Sequence, residues 1–517
     1  MNKVKLEKKA VLMALGSGIA LSFSFPGWHP LLSFLAWIAL VPYFMLLTSP
    51  RRFRDNFLLS LSMGAGLYAG LMYWLLFMHP LTWLGMDTWT SLALVTLAWV
   101  LVSVIMAIAV AIMGTFLGYA MSRFSCPWLR TFTPMLFWVA LEYLQGLGIL
   151  GFTWATLSTS QYRWLPIIQI VSVTGPFFLS GVIVAFNAAL AVLFKQRKPL
   201  PVALVSILIL SIFCFGQWRL HQPLQGRAFR YALVQGNIKQ EEKWQRDTLP
   251  KIANTYMRLS ETATADLVVW PETAIPQFLR NDPLLYSRLA GFSQKSGKHL
   301  LTGTLDWDAS NPKYLKLFNA VTVFDPKGTN LGFDYKTHLV ALGEYLPFRQ
   351  WMPPFIANLL AKFNIVAQDY APAEKPMAFQ LPFARVGTGI CFDSIFPWVL
   401  YGKVRAGAEA LVVVTNDGWY KRTTATSQHL AQAVLRAVET DRYVLRAANT
   451  GISCAIDPRG RIHHPTRIYE PAVVQGTAVA QTGWTPYVRY RDWAGILCSL
   501  LAAGMLVFAW RRGKAEG

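Results

Sequence analysis

Between residues 10 and 216 apolar positions follow one another in blocks, broken by short polar or basic stretches. Each block is close to the roughly 20 residues that a helix needs to cross about 30 Å of hydrocarbon. Seven blocks lie near residues 10–25, 31–49, 57–79, 91–121, 132–145, 164–195 and 200–216, and an eighth stands alone at 493–510. The pattern predicts a helical bundle of about eight membrane spans, the fifth short, the fourth and sixth long enough for tilt or re-entrant pieces. From 227 to 488 the pattern changes to short apolar runs between turn residues and charged loops. Runs at 230–234, 267–270, 299–302, 320–324, 384–390, 410–415, 443–447 and 452–456 predict strands, with helical periodicity between them, as at 426–440. That alternation predicts one layered α/β domain. The chain thus divides into a membrane part over 1–217, a soluble domain over 227–488 and a last span over 493–510.

Basic residues orient the bundle. Lys3, Lys5, Lys8 and Lys9 precede the first span, Arg51, Arg52 and Arg54 follow the second, and Arg123 and Arg130 follow the fourth. Lys195, Arg197 and Lys198 separate the sixth and seventh, and Arg511, Arg512 and Lys514 close the chain. With eight spans all of these fall on one side, which the positive-inside rule makes cytoplasmic. Both termini are then cytoplasmic and the 227–488 domain is extracytoplasmic. No small-residue cleavage site follows the first apolar run, so it is expected to be retained.

Composition narrows the classes further. Of 517 residues 54% are hydrophobic and 15% charged, against about 25% charged in ordinary globular domains, and the mean hydropathy is +0.35. A simple cytosolic enzyme and a disordered scaffold are both excluded. The formal charge of +21 would suggest nucleic acid in a soluble protein, but here the basic loops are topology signals, and no nucleic-acid partner is expected. Cys126, Cys214, Cys391, Cys454 and Cys498 are scattered, with no CxxC spacing. Neither a metal nor a disulfide framework is expected, no cofactor is implied, and any cysteine chemistry uses one thiol.

Three predicted strand ends carry reactive groups. Leu267-Val268-Val269-Trp270-Pro271-Glu272 delivers a carboxylate where a proline stops a buried run; Asp334-Tyr335-Lys336 places an ammonium after the Gly332 turn; Val386-Gly387-Thr388-Gly389-Ile390-Cys391 ends in a thiol. A thiol needs a base to become a nucleophile, and acyl transfer passes through an oxyanion that a cation and a backbone N–H stabilise. Taken singly, each residue has an ordinary reading: a buried structural cysteine, a helix-start carboxylate, a solvated surface lysine.

The wording of these segments resembles a known superfamily. The order Trp270-Pro271-Glu272-Thr273, Tyr335-Lys336-Thr337-His338-Leu339-Val340, Gly343-Glu344-Tyr345-Leu346-Pro347, Ile390-Cys391-Phe392-Asp393 and Asn416-Asp417-Gly418-Trp419 is similar to the nitrilase (carbon–nitrogen hydrolase) superfamily. With Val234-Gln235-Gly236-Asn237-Ile238, Asn449-Thr450-Gly451-Ile452, Leu35-Ala36-Trp37, Tyr73-Trp74 and Gly151-Phe152-Thr153-Trp154, the chain resembles more narrowly the apolipoprotein N-acyltransferase family. The resemblance implies an αββα nitrilase-like sandwich at 227–488 and a catalytic set of Glu272, Lys336 and Cys391. It implies Glu344, Phe392 and Asp393 as support, with Glu344 orienting Lys336 or Glu272 and the two residues after the thiol as candidates to gate access. Gln240, Trp244 and Trp419 are the implied substrate-binding residues.

The implied reaction moves an acyl chain from a membrane glycerophospholipid, phosphatidylethanolamine being the expected donor, to a diacylglyceryl-modified apolipoprotein, in ping-pong fashion through a thioester. The expected setting is the bacterial inner membrane, with the catalytic domain periplasmic and the protein monomeric. Departures from the family wording are Ala341-Leu342, Thr153, Asp393 and Tyr420-Lys421-Arg422. Glu142, inside the fifth span, is a costly charge for which a partner is expected unless it reaches the interface. Two other readings use the same residues: a membrane-tethered amidase with water as acceptor, and a lipid-binding or transport protein with an inert domain.

Overall fold

The computed structural model describes residues 6–244, 246–310, 315–354, 358 and 369–515; the basic residues Lys3 and Lys5 lie outside them. The membrane part runs α1 (Lys8–Ser22), α2 (Val41–Leu47), α3 (Phe53–Leu71), α4 (Thr88–Arg123), α5 (Pro127–Gln145), α6 (Leu165–Ile168), α7 (Val171–Thr174), α8 (Pro176–Gln196) and α9 (Leu200–Leu220), with 3-10 turns Pro30–Trp37 and Tyr73–Met78 between. Among the described residues six stretches are long and apolar enough to cross a membrane: Pro30–Leu47, Phe53–Met78, Thr88–Arg123, Pro176–Gln196, Leu200–Leu220 and Trp493–Lys514. Neither α1, with 15 residues, nor α5, which mixes Arg130, Pro134 and Glu142 into its apolar run, is among them.

The predicted sixth span is not one helix. Gly175 sits at φ +77° between α7 and α8, where a Cβ would come within 2.4 Å of the Tyr487 ring. Pro176 then opens α8 at a position whose missing N–H costs nothing. Outward-facing Leu97, Leu101, Ile105 and Ile112 of α4 and Ile207 and Leu210 of α9 are exposed. Apolar surface on this scale is tolerated where hydrocarbon, not water, is the solvent. Glu142 does find partners: its Oε1 accepts from Trp138 Nε1 and from the Leu157 N–H, both at 2.8 Å.

Among the described residues twelve strands follow: β1 (Arg227–Gln235), β2 (Leu267–Val269), β3 (His299–Asp308), β4 (Lys316–Phe324), β5 (Asn330–Tyr335), β6 (Ala378–Gln380), β7 (Arg385–Ile390), β8 (Ala410–Thr415), β9 (Val444–Ala448), β10 (Cys454–Ile456), β11 (Ile462–His463) and β12 (Ala472–Ala480). They form two six-stranded sheets, ordered β12-β1-β2-β3-β4-β5 and β11-β10-β9-β8-β7-β6. The central strand β8, Ala-Leu-Val-Val-Val-Thr, is buried throughout and pairs in parallel with β7 and β9, as strands covered on both faces do. Leu233, Val269, Leu301 and Val321 of one sheet meet Val386, Val412, Val414 and Leu445 of the other in a single inner core. The helices α10 (Gln240–Lys243), α11 (Leu249–Glu261) and α12 (Pro283–Ser296) lie between the early strands, and the later ones alternate with α13 (Pro397–Arg405) and α14 (Ala425–Thr440), then α15 (Pro486–Tyr490) and α16 (Trp493–Ala515). Helices α11 and α12 cover the first sheet. Helices α13 and α14 cover the second and share one core with the membrane part through Leu157, Ile168, Val171 and Leu179.

Helix α14 is buried on every side except at Ser427, because it lies between a sheet and the membrane helices. Two of its glutamines hold the membrane part. Gln428 Oε1 accepts from Trp154 Nε1 at 2.7 Å, and Gln432 Nε2 donates to the Thr153 and Trp154 carbonyls at 3.2 Å. The segment 146–164, between α5 and α6, is thus the surface on which the sandwich sits. Four strands, β5, β6, β11 and β12, fall outside the predicted runs. Two of them have three residues or fewer, and β12 is an edge strand recruited by β1 in antiparallel register from Arg227↔Ala480 to Gln235↔Ala472.

Candidate active site

Strands β2, β5 and β7 end on the same side of the sandwich, and Glu272, Lys336 and Cys391 follow them directly. β2 and β7 have parallel neighbours and are buried up to their ends, whereas β5 is an antiparallel edge strand of mixed burial. All three residues are buried, with relative exposures of 7, 2 and 9%. Cys391 has φ +51° and begins the turn Cys391–Ile395, a left-handed conformation rarely adopted by a residue with a Cβ and held here by its surroundings. At Gly389 a side chain would meet Leu400 at 2.8 Å, so the glycine lets α13 pack close behind the thiol-bearing strand.

The carboxylate of Glu272 accepts from Asn319 Nδ2 on one oxygen and from the Asn416 N–H on the other, both at 2.9 Å. Lys336 Nζ stands 3.8 Å from Glu272 but 2.9 Å from Glu344. Glu344 is the closer ion partner, and it also accepts from Asn319 Nδ2 and the Val340 N–H. Asn319 also receives the Lys336 N–H on its own carbonyl. One asparagine side chain therefore bridges the two carboxylates, and its backbone fixes the lysine between them. Burial alone would lower the Lys336 ammonium; the Glu344 and then Glu272 carboxylates outweigh it and raise it, so the lysine is a fixed cation. The Cys391 thiol is pushed far up by burial, then by the neighbouring Glu272 charge, while Lys336 and a hydrogen bond from Thr415 pull it down. A resting neutral thiol beside a carboxylate is the arrangement in which the proton moves as the nucleophile attacks.

Asp393 has no exposed surface. Its carboxylate accepts from the N–H groups of Ile390, His338 and Thr337, tying the loop after Lys336 to the turn at Cys391. Burial pushes it up to about 6, against Lys336 and these backbone donors. A side chain so occupied is a brace, in contrast to the gate expected from its position in the sequence. Phe392 is buried and packs between Phe152 of the membrane part, at 6.1 Å between ring centroids, and Phe396 at 5.3 Å.

Gln240 opens α10, where its Oε1 accepts from Asn416 Nδ2 at 2.8 Å and its buried Nε2 has no partner among the described residues. Trp244, just past α10, is 45% exposed. Trp419 packs against Leu81, Met86 and Val95 of the membrane part. The neighbouring Tyr420 stacks edge-on to Trp74 and Trp154, at 5.0 and 5.6 Å, so aromatic rings from the membrane part line the side of the site opposite the sheets. Beneath Cys391, its carbonyl receives Ser394 Oγ at 2.8 Å and faces His429 Nε2 at 3.1 Å. Asp417 sits between His429 and Arg446 at 3.0 and 2.7 Å; burial would raise its carboxyl, but the Arg446 guanidinium and then the His429 ring outweigh burial and hold it well below the usual range. Asn319, His429 and Arg446 escaped the reading of the sequence, and Asn416 and Asp417 were read only as part of a motif, with no role assigned. The one local signal was the Asn416-Asp417 pair ending the apolar run 410–415.

A carbon–nitrogen hydrolase family model matches residues 230–474, and a model of the apolipoprotein N-acyltransferase N-terminal domain matches residues 17–189. The chain is 36% identical over 521 residues to the apolipoprotein N-acyltransferase of Geobacter metallireducens, covering 98% of this chain and 96% of the relative. The chain belongs to the apolipoprotein N-acyltransferase family. The relative of that name from Gloeobacter violaceus is 35% identical over 532 residues, 98% of this chain and 95% of its own. Among solved structures, a nitrilase-superfamily protein of Saccharomyces cerevisiae is 21% identical, covering 49% of this chain and 90% of that one, with a TM-score of 0.37.

The departures from the apolipoprotein N-acyltransferase wording have local roles. Thr153 donates its hydroxyl to the Ile395 carbonyl at 2.6 Å, at the end of the Cys391 turn. Lys421 donates to the His79 carbonyl of the membrane part. Leu342, at φ +63°, donates its N–H to the Tyr345 carbonyl at 2.9 Å and so closes the loop that presents Glu344.

Proposed function

We propose that the chain N-acylates apolipoproteins by ping-pong catalysis on Cys391, with Glu272 as general base and acid and Lys336 as the oxyanion cation. The observation that carries this reading is a buried Glu–Lys–thiol cluster whose neighbours Phe392 and Tyr420 pack on Phe152, Trp74 and Trp154 of the membrane part. A hydrolase would have no need of such a floor. Glu272 takes the thiol proton as sulfur attacks the sn-1 carbonyl carbon of a glycerophospholipid, phosphatidylethanolamine being the proposed donor. The tetrahedral oxyanion rests on Lys336 and the Phe392 N–H. The C–O bond breaks, Glu272 returns the proton to the departing lysophospholipid oxygen, and a thioester remains. The α-amino group of a diacylglyceryl-cysteine then attacks, Glu272 takes its proton, and the thiol leaves with the amide formed. Glu344 and Asn319 hold Lys336 and Glu272 in register, and Gln240, Trp244 and Trp419 flank the substrates.

The proposed setting is a bacterial inner membrane crossed eight times, α1 and α5 adding to the six long apolar stretches, with a periplasmic catalytic domain, cytoplasmic termini and a monomeric protein. Both substrates are lipids of one leaflet, so lateral diffusion delivers each to the thiol while the aromatic floor keeps water from the thioester. Intact mass spectrometry of the detergent-solubilised protein after incubation with phosphatidylethanolamine tests the chemistry. One hydroxylamine-labile acyl adduct is expected, discharged by a diacylglyceryl peptide to an N-acyl product; discharge by water alone would favour the amidase reading. For topology, an impermeant thiol reagent is expected to reach Ser310→Cys, exposed beyond β3, only from the periplasmic side. Labelling only from the cytoplasm would invert the arrangement.

A further inference from the structure

A second lysine lies in the site and has no part in the chemistry above. Lys243, the last residue of α10, is 2% exposed, and its Nζ donates to the Glu272 main-chain carbonyl at 2.9 Å. Lysines are almost never fully buried unless paired, yet no carboxylate lies within ion-pair distance of this one among the described residues. Its partner is a neutral peptide oxygen of the general base. The other end of the same short helix is fastened to the same residue. Gln240 holds the Asn416 side chain, and the Asn416 N–H holds the Glu272 carboxylate. The segment carrying the exposed Trp244 is thus anchored to Glu272 twice.

We propose that Lys243 is a positioning residue for acyl transfer: it fixes the Glu272 main chain and supplies a second positive charge that, with Lys336, favours the Cys391 thiolate. This rests on the acyl-transfer reading and adds to it. The groups acting on Lys243 from the elements packed around it are the Glu272 carboxylate and the Cys391 thiol. On its own helix Glu242 pairs instead with Lys239 at 3.8 Å, and Glu241 is exposed. Facing the thiol itself are Glu272, Lys336 and Asp417. Burial lowers Lys243 to about 8, with Glu272 and then Cys391 opposing the shift. The sign follows: its charge is present below about pH 8 and is lost above it, whereas its N–H can donate to Glu272 in either form.

The test is the rate of Cys391 alkylation by iodoacetamide from pH 6 to 10 on the full-length protein in detergent. Wild type, Lys243→Met and Lys243→Gln are compared, with thermal unfolding and acyl-transfer kinetics on the same samples. Because one neighbouring charge moves a pKa by about 1 unit or more, both variants are expected to alkylate about tenfold more slowly than wild type below pH 8. The gap should narrow above pH 9, where wild type has also lost the charge. In transfer, kcat should fall with KM for phospholipid little changed, and Lys243→Gln, which keeps a donor, should unfold near the wild-type temperature. Alkylation profiles that superimpose on wild type would overturn the proposal. So would a pH-independent deficit that tracks a lowered unfolding temperature, the signature of packing alone. A wild type that alkylates normally but forms no N-acyl product would instead sink the acyl-transfer reading, and the alkylation comparison would still decide the role of Lys243.

Discussion

Cys391→Ala is expected to lower acyl transfer by at least about four orders of magnitude, since without the sulfur there is no thioester and each later step lacks its substrate. The variant should fold. Alanine keeps the Cβ that already tolerates φ +51°, and the inner core contacts of Val386, Ile390 and Val414 do not depend on sulfur. Losing one buried atom costs about 1 kcal/mol, a shift of a few degrees in unfolding temperature at most for a chain of this size. The measurement is N-acylation of a diacylglyceryl peptide by the detergent-solubilised variant, with thermal unfolding of the same sample. Transfer at wild-type rate would remove Cys391 from the mechanism.

Glu272→Gln separates two roles of one carboxylate. The substitution is isosteric but places an amide NH2 against one of two donors, Asn319 Nδ2 or the Asn416 N–H. One hydrogen bond is lost, at about 1–3 kcal/mol for a buried group. Removing the negative charge also lowers the thiol pKa, because Glu272 is, after burial, the largest influence raising it. Alkylation of Cys391 at a fixed pH should therefore speed up. Acyl transfer should nonetheless fall, by about 10²–10⁴-fold, since no group remains to protonate the lysophospholipid or to deprotonate the amine. Opposite movements of the two rates are the signature of a general acid–base. If transfer rose together with alkylation, thiolate supply alone would limit turnover and Glu272 would be a spectator.

Glu272, Lys336 and Cys391 were legible because the wording of their segments together resembles one family, although each taken singly had an ordinary reading. The run Leu267–Val269 forecasts a buried strand, and the first polar residue beyond its Trp-Pro stop is Glu272. Cys391 follows the same rule after Arg385–Ile390, whereas Lys336 comes after Asn330–Tyr335, a strand of mixed burial. Asn319 was not legible. Neutral and mid-strand in β4, it draws its role from the pairing that sets Ala320 opposite Tyr335, which brings it between Glu272 and Glu344. Asp393 looked like a flanking residue because the N–H groups it caps, at Thr337 and His338, belong to a segment more than fifty residues earlier in the chain. The break at Gly175-Pro176 carried a turn signal in the sequence, but the apolar blocks on either side outweighed it when only hydropathy was summed.

The apolar blocks, the basic stretches between them and the switch to short β runs at 227 were legible in the sequence, and Glu272, Lys336 and Cys391 stood out as candidates through the resemblance of their segments. The first three are properties of neighbours along the chain, set by hydropathy, charge and strand periodicity within about twenty residues. The tertiary structure alone decided that Glu344 lies closer to Lys336 than Glu272 does, that Asn319 joins the carboxylates, that Asp393 braces the loop after Lys336, and that Lys243 is buried against the Glu272 main chain. Those outcomes depend on sheet register and on the docking of α14 onto the segment 146–164. Distances of 2.9 and 3.8 Å rank the Glu344 and Glu272 carboxylates around Lys336, and periodicity does not encode distances on that scale.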